Sequence, residues 1–473
     1  MATATATAPT SPRDAFLPAF ARSYFPGRSG QIMIVPREGH FVTGTDPYMH
    51  GSPWAYDARV PLILHAPGRV RAGTYGGAAR HQDIAPTILS VLGVEPPKTM
   101  TGRVLTEAVV KAGPAPRAVL LIVIDSFRAD FLDRFRLPTL SRLAAEGASF
   151  GHARVDYLPT ATGVAHATIA TGADPAAHGI VVNNLFDRAT GKPVDAFADG
   201  TAANVMVPAL ADLWMDRTGG RAIVVAQGGY FYAAAALAGH GACRPKGSPV
   251  YAAAYDRVTG HWTTGSQCYR LHPALAARTS RPVWEASSGR WLGHDVAGPD
   301  AIRKTSLFAA HEADALVAVV EAEAIGADAA ADLLLVNMKT PDFVAHLYGP
   351  DSREMAETLA ATDAAIGRMV AAVRAKAGDA LFVITADHGM PGLVDAGRRH
   401  LASDVVAALN ARFDPEARTL VRNYEPSNAQ LYLDPARLAA LRLQPADVAR
   451  HLETLPFVFA AYTEDEVRKA AKR

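Results

Sequence analysis

In the segment DFVAH, Asp342 and His346 stand four residues apart. That spacing puts two side chains on one face of a helical turn and suits them to hold a divalent ion. Asp387 and His388 adjoin in TADHG, where a chain leaving a strand can turn both side chains toward a second ion. Asp125 closes another apolar run, AVLLIVID. Oxygen and nitrogen donors without thiolates point to zinc or a similar ion. Two ions about 3.5 to 4 Å apart are a device for clamping the attacking and leaving oxygens of a phosphoryl transfer.

A nucleophile is available between these motifs. Thr162 precedes GVAHATIATG, which reads as a helix, so its hydroxyl lies near an N-cap where backbone N–H groups and the helix dipole favour an anion. A threonine hydroxyl attacks poorly at neutral pH, but coordination to a divalent cation favours its alkoxide. Without the metal motifs Thr162 would read as an ordinary helix N-cap.

The elements that must position these residues follow from periodicity. AVLLIVID, DLLLVNMKTPD and ALFVITADHG are apolar, β-branched runs ending in acidic residues, each read as a buried parallel strand followed by a functional loop. Between the last two, Met355, Leu359, Ile366, Met369, Val370 and Val373 recur near helical spacing, which makes a βαβ crossover. The fold class is therefore α/β, a doubly wound, mostly parallel sheet with ligands outside the strand ends. Residues 1–12 read as a disordered tail and 109–117 as a linker. Inserted caps are expected at about 200–310 and 394–460, where the pattern weakens. One catalytic domain holds all of it, its main core running from 118 to 473.

Composition narrows the function. A net charge of +1 with 49% hydrophobic residues describes a globular chain with a large core, and no basic block marks nucleic acid as a partner. No apolar run reaches the ~18 residues of a transmembrane helix. The N-terminus MATATATAPTSP lacks the regions of a signal peptide. Cys243 and Cys268 are the only cysteines; one disulfide or two thiols suit them equally, which leaves the compartment open.

PTATGVAH followed by HGIVVN, with VIDSFRADFL, DFVAH and TADHG, resembles the threonine-nucleophile branch of the alkaline phosphatase superfamily, which holds bacterial alkaline phosphatases and nucleotide pyrophosphatase/phosphodiesterases. The resemblance implies a hydrolase of small-molecule phosphate esters with two zinc ions, or other divalent ions, and a periplasmic or secreted location. It implies Thr162 as nucleophile, sharing one zinc with Asp125, Asp387 and His388, while Asp342 and His346 hold the other. Asn183 matches the asparagine that, with the backbone amide beside the nucleophile, donates to the transferring phosphoryl oxygens. His166, His178, Thr160, Thr168 and Thr171 read as structural.

The second zinc needs a third protein ligand, which the family places downstream of its DHG motif. His400 and His451 lie there in helix-like contexts that match nothing. The matching pattern instead precedes the nucleophile. RSGQIMIVP, YMHGSPWAYDARVPLILHAPG and DIAPTILSVLGVEPP resemble the C-terminal part of the bacterial enzymes, making His50 the expected ligand. The chain thus looks circularly permuted, with 13–108 completing the sheet that begins at 118 and the two chain ends close together.

The substrate is less determined. Threonine-type monoesterases carry a lysine and an arginine, two residues apart, for the extra charge of a monoester dianion. The matching positions here are Tyr230 and Tyr232, in VVAQGGYFY behind Gln227, while Arg244 and Lys246 follow in CRPKG. These five are the candidate substrate-binding residues. A phosphomonoesterase is the first reading and a phosphodiesterase the second. A non-catalytic metal-binding protein is a remote third, and PTATG lacks the segment that sulfatases convert to an aldehyde.

Overall fold

The computed structural model describes residues 12–110, 114–392, 398–425 and 429–472. The runs read as buried strands are Ala118–Ile124, Asp332–Met338 and Ala380–Thr385, buried at every position. Continuous burial is what a parallel strand covered on both faces requires. They lie side by side, with Ala118–Ile124 in the middle and both pairings parallel, so all three acidic motifs leave the same edge of the sheet. The helix Arg353–Ala377 makes the crossover and buries the six apolar residues that signalled it. Outward from this centre run Val224–Gly228, Val250–Tyr255 and Trp262–Thr263 on one side, and Leu62–His65, Ala148–Arg154 and Gly73–Arg80 on the other; Tyr269–Arg270 pairs with Val250–Tyr255 to complete ten strands. Only Leu62–His65 and Trp262–Thr263 run against the rest. The sheet is mostly parallel and the fold α/β, as expected.

The N-terminal segment is built into the molecule at two places. Leu62–His65 pairs with Ala380–Thr385 and Ala148–Arg154. Ile32–Pro36 joins a separate four-stranded antiparallel sheet between Gln430–Leu433 and Val458–Thr463. The insertion expected at 394–460 supplies the rest of that sheet, where the strand Val421–Glu425 pairs antiparallel with Gln430–Leu433. The first and last described segments meet there: Arg13 bonds Glu453 at 2.6 Å, Glu466 at 2.9 Å and the Ala461 carbonyl at 2.9 Å. Of the expected tail, residues 1–11 lie outside the described residues, and Pro12 opens the short helix Pro12–Phe16. Of the expected linker, 111–113 lie outside them, and Val109 bridges to Val70.

The stretch expected to form a cap at 200–310 is in large part core. Leu210–Thr218 is a helix, and Val224–Gly228 and Val250–Tyr255 are strands of the main sheet. Their sequences, VVAQG and VYAAAY, pack against the equally small-residue helix Phe231–Ala238. Alanine and glycine let these layers approach closely but carry little β-branched signal, which is why the pattern looked irregular. The true excursion spans 271–306, in short helices and the hairpin Arg290–Trp291 with His294–Asp295. A disulfide joins Cys243 to Cys268 at its root.

One close approach ties the N-terminal segment to the DHG loop. Asp57 folds the HGSP turn by accepting Ser52 N–H at 2.9 Å and Ser52 Oγ at 2.6 Å. Its backbone oxygen takes Gly389 N–H at 2.8 Å. A Cβ on Gly389 would lie 1.9 Å from the Tyr56 carbonyl oxygen, so only glycine fits. Gly389→Ala is expected to cost about 1–3 kcal/mol, as overpacking does, read as a lowered denaturation midpoint. An unchanged midpoint would show that the two loops separate freely.

Candidate active site

The acidic strand ends converge on the first turn of the helix Thr162–Thr171. Thr162 is its first residue and is buried, like Asp125, Asp387, His388 and Asp342. Thr162 Oγ1 lies 3.2 Å from His388 Nε2. The same nitrogen stands 3.4 Å from Asp387 Oδ2 and 3.6 Å from Asp125 Oδ1. A tetrahedral ion with bonds of about 2.0–2.1 Å has ligand-to-ligand edges of roughly 3.3–3.4 Å, and the three distances from His388 Nε2 are close to that edge. Asp125 Oδ1 and Asp387 Oδ2 are also buried acceptors that no donor among the described residues reaches. Buried carboxylate oxygens are normally paired or coordinated, and a divalent cation fits this set.

Beside it, Asp342 Oδ1 lies 3.4 Å from His346 Nε2. Ligand atoms of His50, Asp342 and His388 fall within 4.8 Å of one another, as do those of Asp125, Asp387 and His388. The first cluster contains His388 and not the expected His346, although His346 touches Asp342. The imidazoles are oriented alike. Nδ1 of His50 meets the Thr160 carbonyl at 2.8 Å, that of His346 the Tyr48 carbonyl at 2.8 Å, and that of His388 the Gly389 carbonyl at 3.0 Å. A protonated Nδ1 held this way leaves the Nε2 lone pair for an ion. His50 therefore reaches the site from the N-terminal segment. His400 lies in the strand Arg399–Leu401 against His40 and Phe457, and His451 packs on Phe413.

Several residues that sequence reasoning passed over hold this arrangement. Ser126 lies in the left-handed region at φ 59°, a conformation costing about 1–2 kcal/mol for a non-glycine residue. Its Oγ donates to Asp342 Oδ1 at 2.5 Å and its N–H to Asp387 Oδ1 at 3.2 Å. Lys339, buried at the end of Asp332–Met338, places Nζ 3.0 Å from Asp125 Oδ2, 2.7 Å from Asp342 Oδ2 and 3.2 Å from Thr162 Oγ1. Glu312, pushed up to about 7 by burial, accepts the Lys339 N–H at 2.8 Å and the Thr340 hydroxyl at 2.5 Å. The lysine was visible in DLLLVNMKTPD, where the strand-end rule that singled out the acids applies equally to a base.

The charges compete. Burial, then the neighbouring Asp387, pushes the Asp125 carboxyl well above the usual range against the pull of Lys339. Burial opposes ionisation of Asp342 too, but Lys339 and His346 hold it well below that range. Burial, with His388 and His346 nearby, keeps the His50 imidazole well below its ordinary value and so neutral, as a metal ligand must be.

A cavity of about 310 Å³ opens on Thr162 and is lined by Asn183, Tyr230, Tyr232, Arg303, Lys304 and Phe343, among others. Asn183 Oδ1 accepts the Gly163 N–H at 2.9 Å. The amide beside Thr162 is thus engaged by Asn183, in contrast to the expectation that both donate to the ligand. Tyr230 and Tyr232 stack at 5.3 Å and face the cavity. The other expected substrate residues do not line it. Gln227 is fully buried and donates to the Glu312 carbonyl at 2.7 Å. Arg244 turns away to Asp216 at 2.5 Å and Asp212 at 3.3 Å, and Lys246 is exposed. Two acidic neighbours neutralise Arg244 where it stands, which is why CRPKG does not supply the missing basic pair. Arg303 and Lys304, from the end of the excursion, reach the rim instead.

Comparison with known proteins identifies the family and the fold. Over 442 aligned residues the chain is 24% identical to alkaline phosphatase PafA of Elizabethkingia meningoseptica, covering 80% of each protein. It is 24% identical to alkaline phosphatase PhoK of Sphingomonas sp over 405 residues, covering 75% of this chain and 72% of that one. The crystal structure of wild-type PafA superposes with a TM-score of 0.61 at 22% identity, covering 73% of this chain and 77% of the other, and so shares the fold. A family model for type I phosphodiesterase / nucleotide pyrophosphatase matches residues 119–472. The segment carrying His50 lies ahead of that match. Because the match spans most of the chain, the protein belongs to the type I phosphodiesterase / nucleotide pyrophosphatase family and is a metal-dependent phosphate ester hydrolase.

Proposed function

We propose that the chain hydrolyses phosphate monoesters through a phosphothreonine at Thr162, on a centre for two divalent cations, with zinc the best match to the donors. The observation that carries this reading is the Thr162 hydroxyl, 3.2 Å from His388 Nε2, the same nitrogen that stands 3.4 Å from Asp387 Oδ2 and 3.6 Å from Asp125 Oδ1. Asp125, Asp387, His388 and Thr162 would hold one ion; Asp342, His346 and His50 the other. Ions bound there supply positive charge that favours the threonine alkoxide and offsets charge on the leaving oxygen.

The chain's own residues do the rest. Thr162 Oγ attacks phosphorus in line, the bond from phosphorus to the ester oxygen breaks, and the alcohol departs carrying the proton that the Thr162 hydroxyl gave up. Water then attacks phosphorus from the opposite side, the bond to Thr162 Oγ breaks, one proton of the water returns to Thr162 Oγ, and hydrogen phosphate leaves with the other. Asn183, fixed through its Oδ1 by Gly163, serves the phosphoryl oxygens through Nδ2. The helix N-terminus behind Thr162 adds its dipole to the same charge.

A phosphodiesterase is the second reading, favoured by Tyr230 and Tyr232 at the positions where monoesterases of the resemblance carry basic residues. The disulfide between Cys243 and Cys268 supports an oxidising compartment, periplasmic or secreted. Circular permutation remains our explanation of the motif order. It is supported by His50 reaching the site from ahead of the family match and by the contacts between Arg13 and the C-terminal segment.

On divalent-loaded protein, Thr162→Ala should lower kcat/KM for a nitrophenyl phosphate by about three orders of magnitude or more while the bound metal remains. Substantial turnover in this variant would remove Thr162 from the mechanism. Chelation should abolish turnover and added zinc restore it; turnover indifferent to both would rule out the metal centre. A rearranged chain that starts near residue 116 and carries 13–108 after residue 472 should fold and turn over like the original. An insoluble or inactive product would count against permutation.

A further inference from the structure

Lys339 has no counterpart among the residues on which the proposed mechanism relies, yet it is the fully buried cation nearest the nucleophile. Its position looks built. Gly229 leaves the space its stem occupies: a Cβ there would lie 2.4 Å from Lys339 Cβ and 2.8 Å from its Cγ. The backbone is fixed at the other side by Glu312. Tyr230 and Phe343 wall the ammonium at 5.6 and 5.9 Å from their ring centres, in the manner of cation–π contacts that strengthen when desolvated.

The ammonium contacts the outer oxygens of the two carboxylates, Asp125 Oδ2 and Asp342 Oδ2. The oxygens aimed at the metal-ligand nitrogens are the other two, Asp125 Oδ1 and Asp342 Oδ1. At the two carboxylates, Lys339 and divalent ions therefore do not compete for the same oxygens, and Thr162 Oγ1 is the one atom that both would approach. An ammonium has three N–H donors; two reach the carboxylates and the third reaches Thr162 Oγ1. A phosphoryl group carried by that oxygen has its non-bridging oxygens two bonds further on, across phosphorus, within range of a charge-assisted hydrogen bond of about 2.8 Å.

Resting on the phosphoryl-transfer reading above, we infer that Lys339 is the phosphoryl-binding cation of this enzyme and sets its preference for monoester dianions. It replaces, from a neighbouring strand end, the basic pair that Tyr230 and Tyr232 displace. A monoester carries one more negative charge than a diester, and a fixed cation in a dry site acts most strongly on that difference. Arg303 is less suited, because Asp300 takes its Nε and Nη2 and Tyr230 its Nη1.

The test compares kcat/KM for a nitrophenyl monoester and the matching diester in divalent-loaded wild type, Lys339→Met and Gly229→Ala. Metal content and the affinity for inorganic phosphate are measured on the same samples. Lys339→Met should lose about 100-fold or more on the monoester and less than about 5-fold on the diester, with weaker phosphate binding and unaltered metal content. Gly229→Ala, which keeps the lysine but shifts its stem, should show the same selective loss and covers the case of a Lys339→Met chain that does not fold. Equal losses on both esters would overturn the inference. So would one ion per wild-type chain rising to two in Lys339→Met, which would make the lysine a substitute for a metal. Failure of the phosphoryl-transfer reading has a different signature: wild type turns over neither ester in a Thr162-dependent way, and phosphate binding alone then reports on Lys339.

Discussion

Three carboxylates buried together around one threonine are the constraint from which the rest of the site follows. Asp125, Asp342 and Asp387 leave the C-terminal edges of neighbouring strands, so the sheet itself forces them together. Each buried charge costs several kcal/mol unless compensated. Lys339 compensates on one side through the outer oxygens, and the imidazoles of His388, His346 and His50 face the inner ones. The two oxygens left without donors, on Asp125 and Asp387, mark where positive charge is still required. Folding thus concentrates negative potential at the point where a hydroxyl nucleophile stands. A cation bound there serves stability and chemistry together.

The supporting shell is as specific as the centre. Backbone carbonyls of Tyr48, Thr160 and Gly389 set the direction of three imidazoles, and those carbonyls come from three distant parts of the chain. Ser126 is held in an unfavourable conformation because two of the carboxylates bind it. The N-terminal segment cannot be regarded as an appendage. It brings His50 and the HGSP turn to the centre, adds strands to the main sheet, and threads one strand through the middle of the smaller sheet. Contacts between Arg13 and the C-terminal residues close the ring.

Much of this is legible in the amino-acid order, and the reasons are physical. Apolar, β-branched runs ending in acids identify central parallel strands, because strands buried on both faces leave no room for polar alternation. Spacing of four residues identifies Asp342 and His346 as neighbours on a helix. The strands Val224–Gly228 and Val250–Tyr255 are hidden in the sequence because alanine-rich layers carry weak strand signal. Gln227 looked available but is consumed by Glu312, and Arg244 by Asp212 and Asp216. Such pairings join residues from separate elements and leave no local trace. Lys339 was on view beside Asp342, but its role depends on Thr162 and Asp125, which are far away in sequence. Its cradle at Gly229 depends on a third strand.

The measurement that bears most directly on the central claim is capture of the covalent intermediate. Divalent-loaded protein would be mixed with a phosphate-labelled monoester, quenched in acid within the first turnover and mapped by peptide mass spectrometry. Phosphate on the peptide containing Thr162, absent when the protein is chelated beforehand, is the predicted result. Rapid turnover with no labelled protein, or label on a residue other than Thr162, would contradict the account.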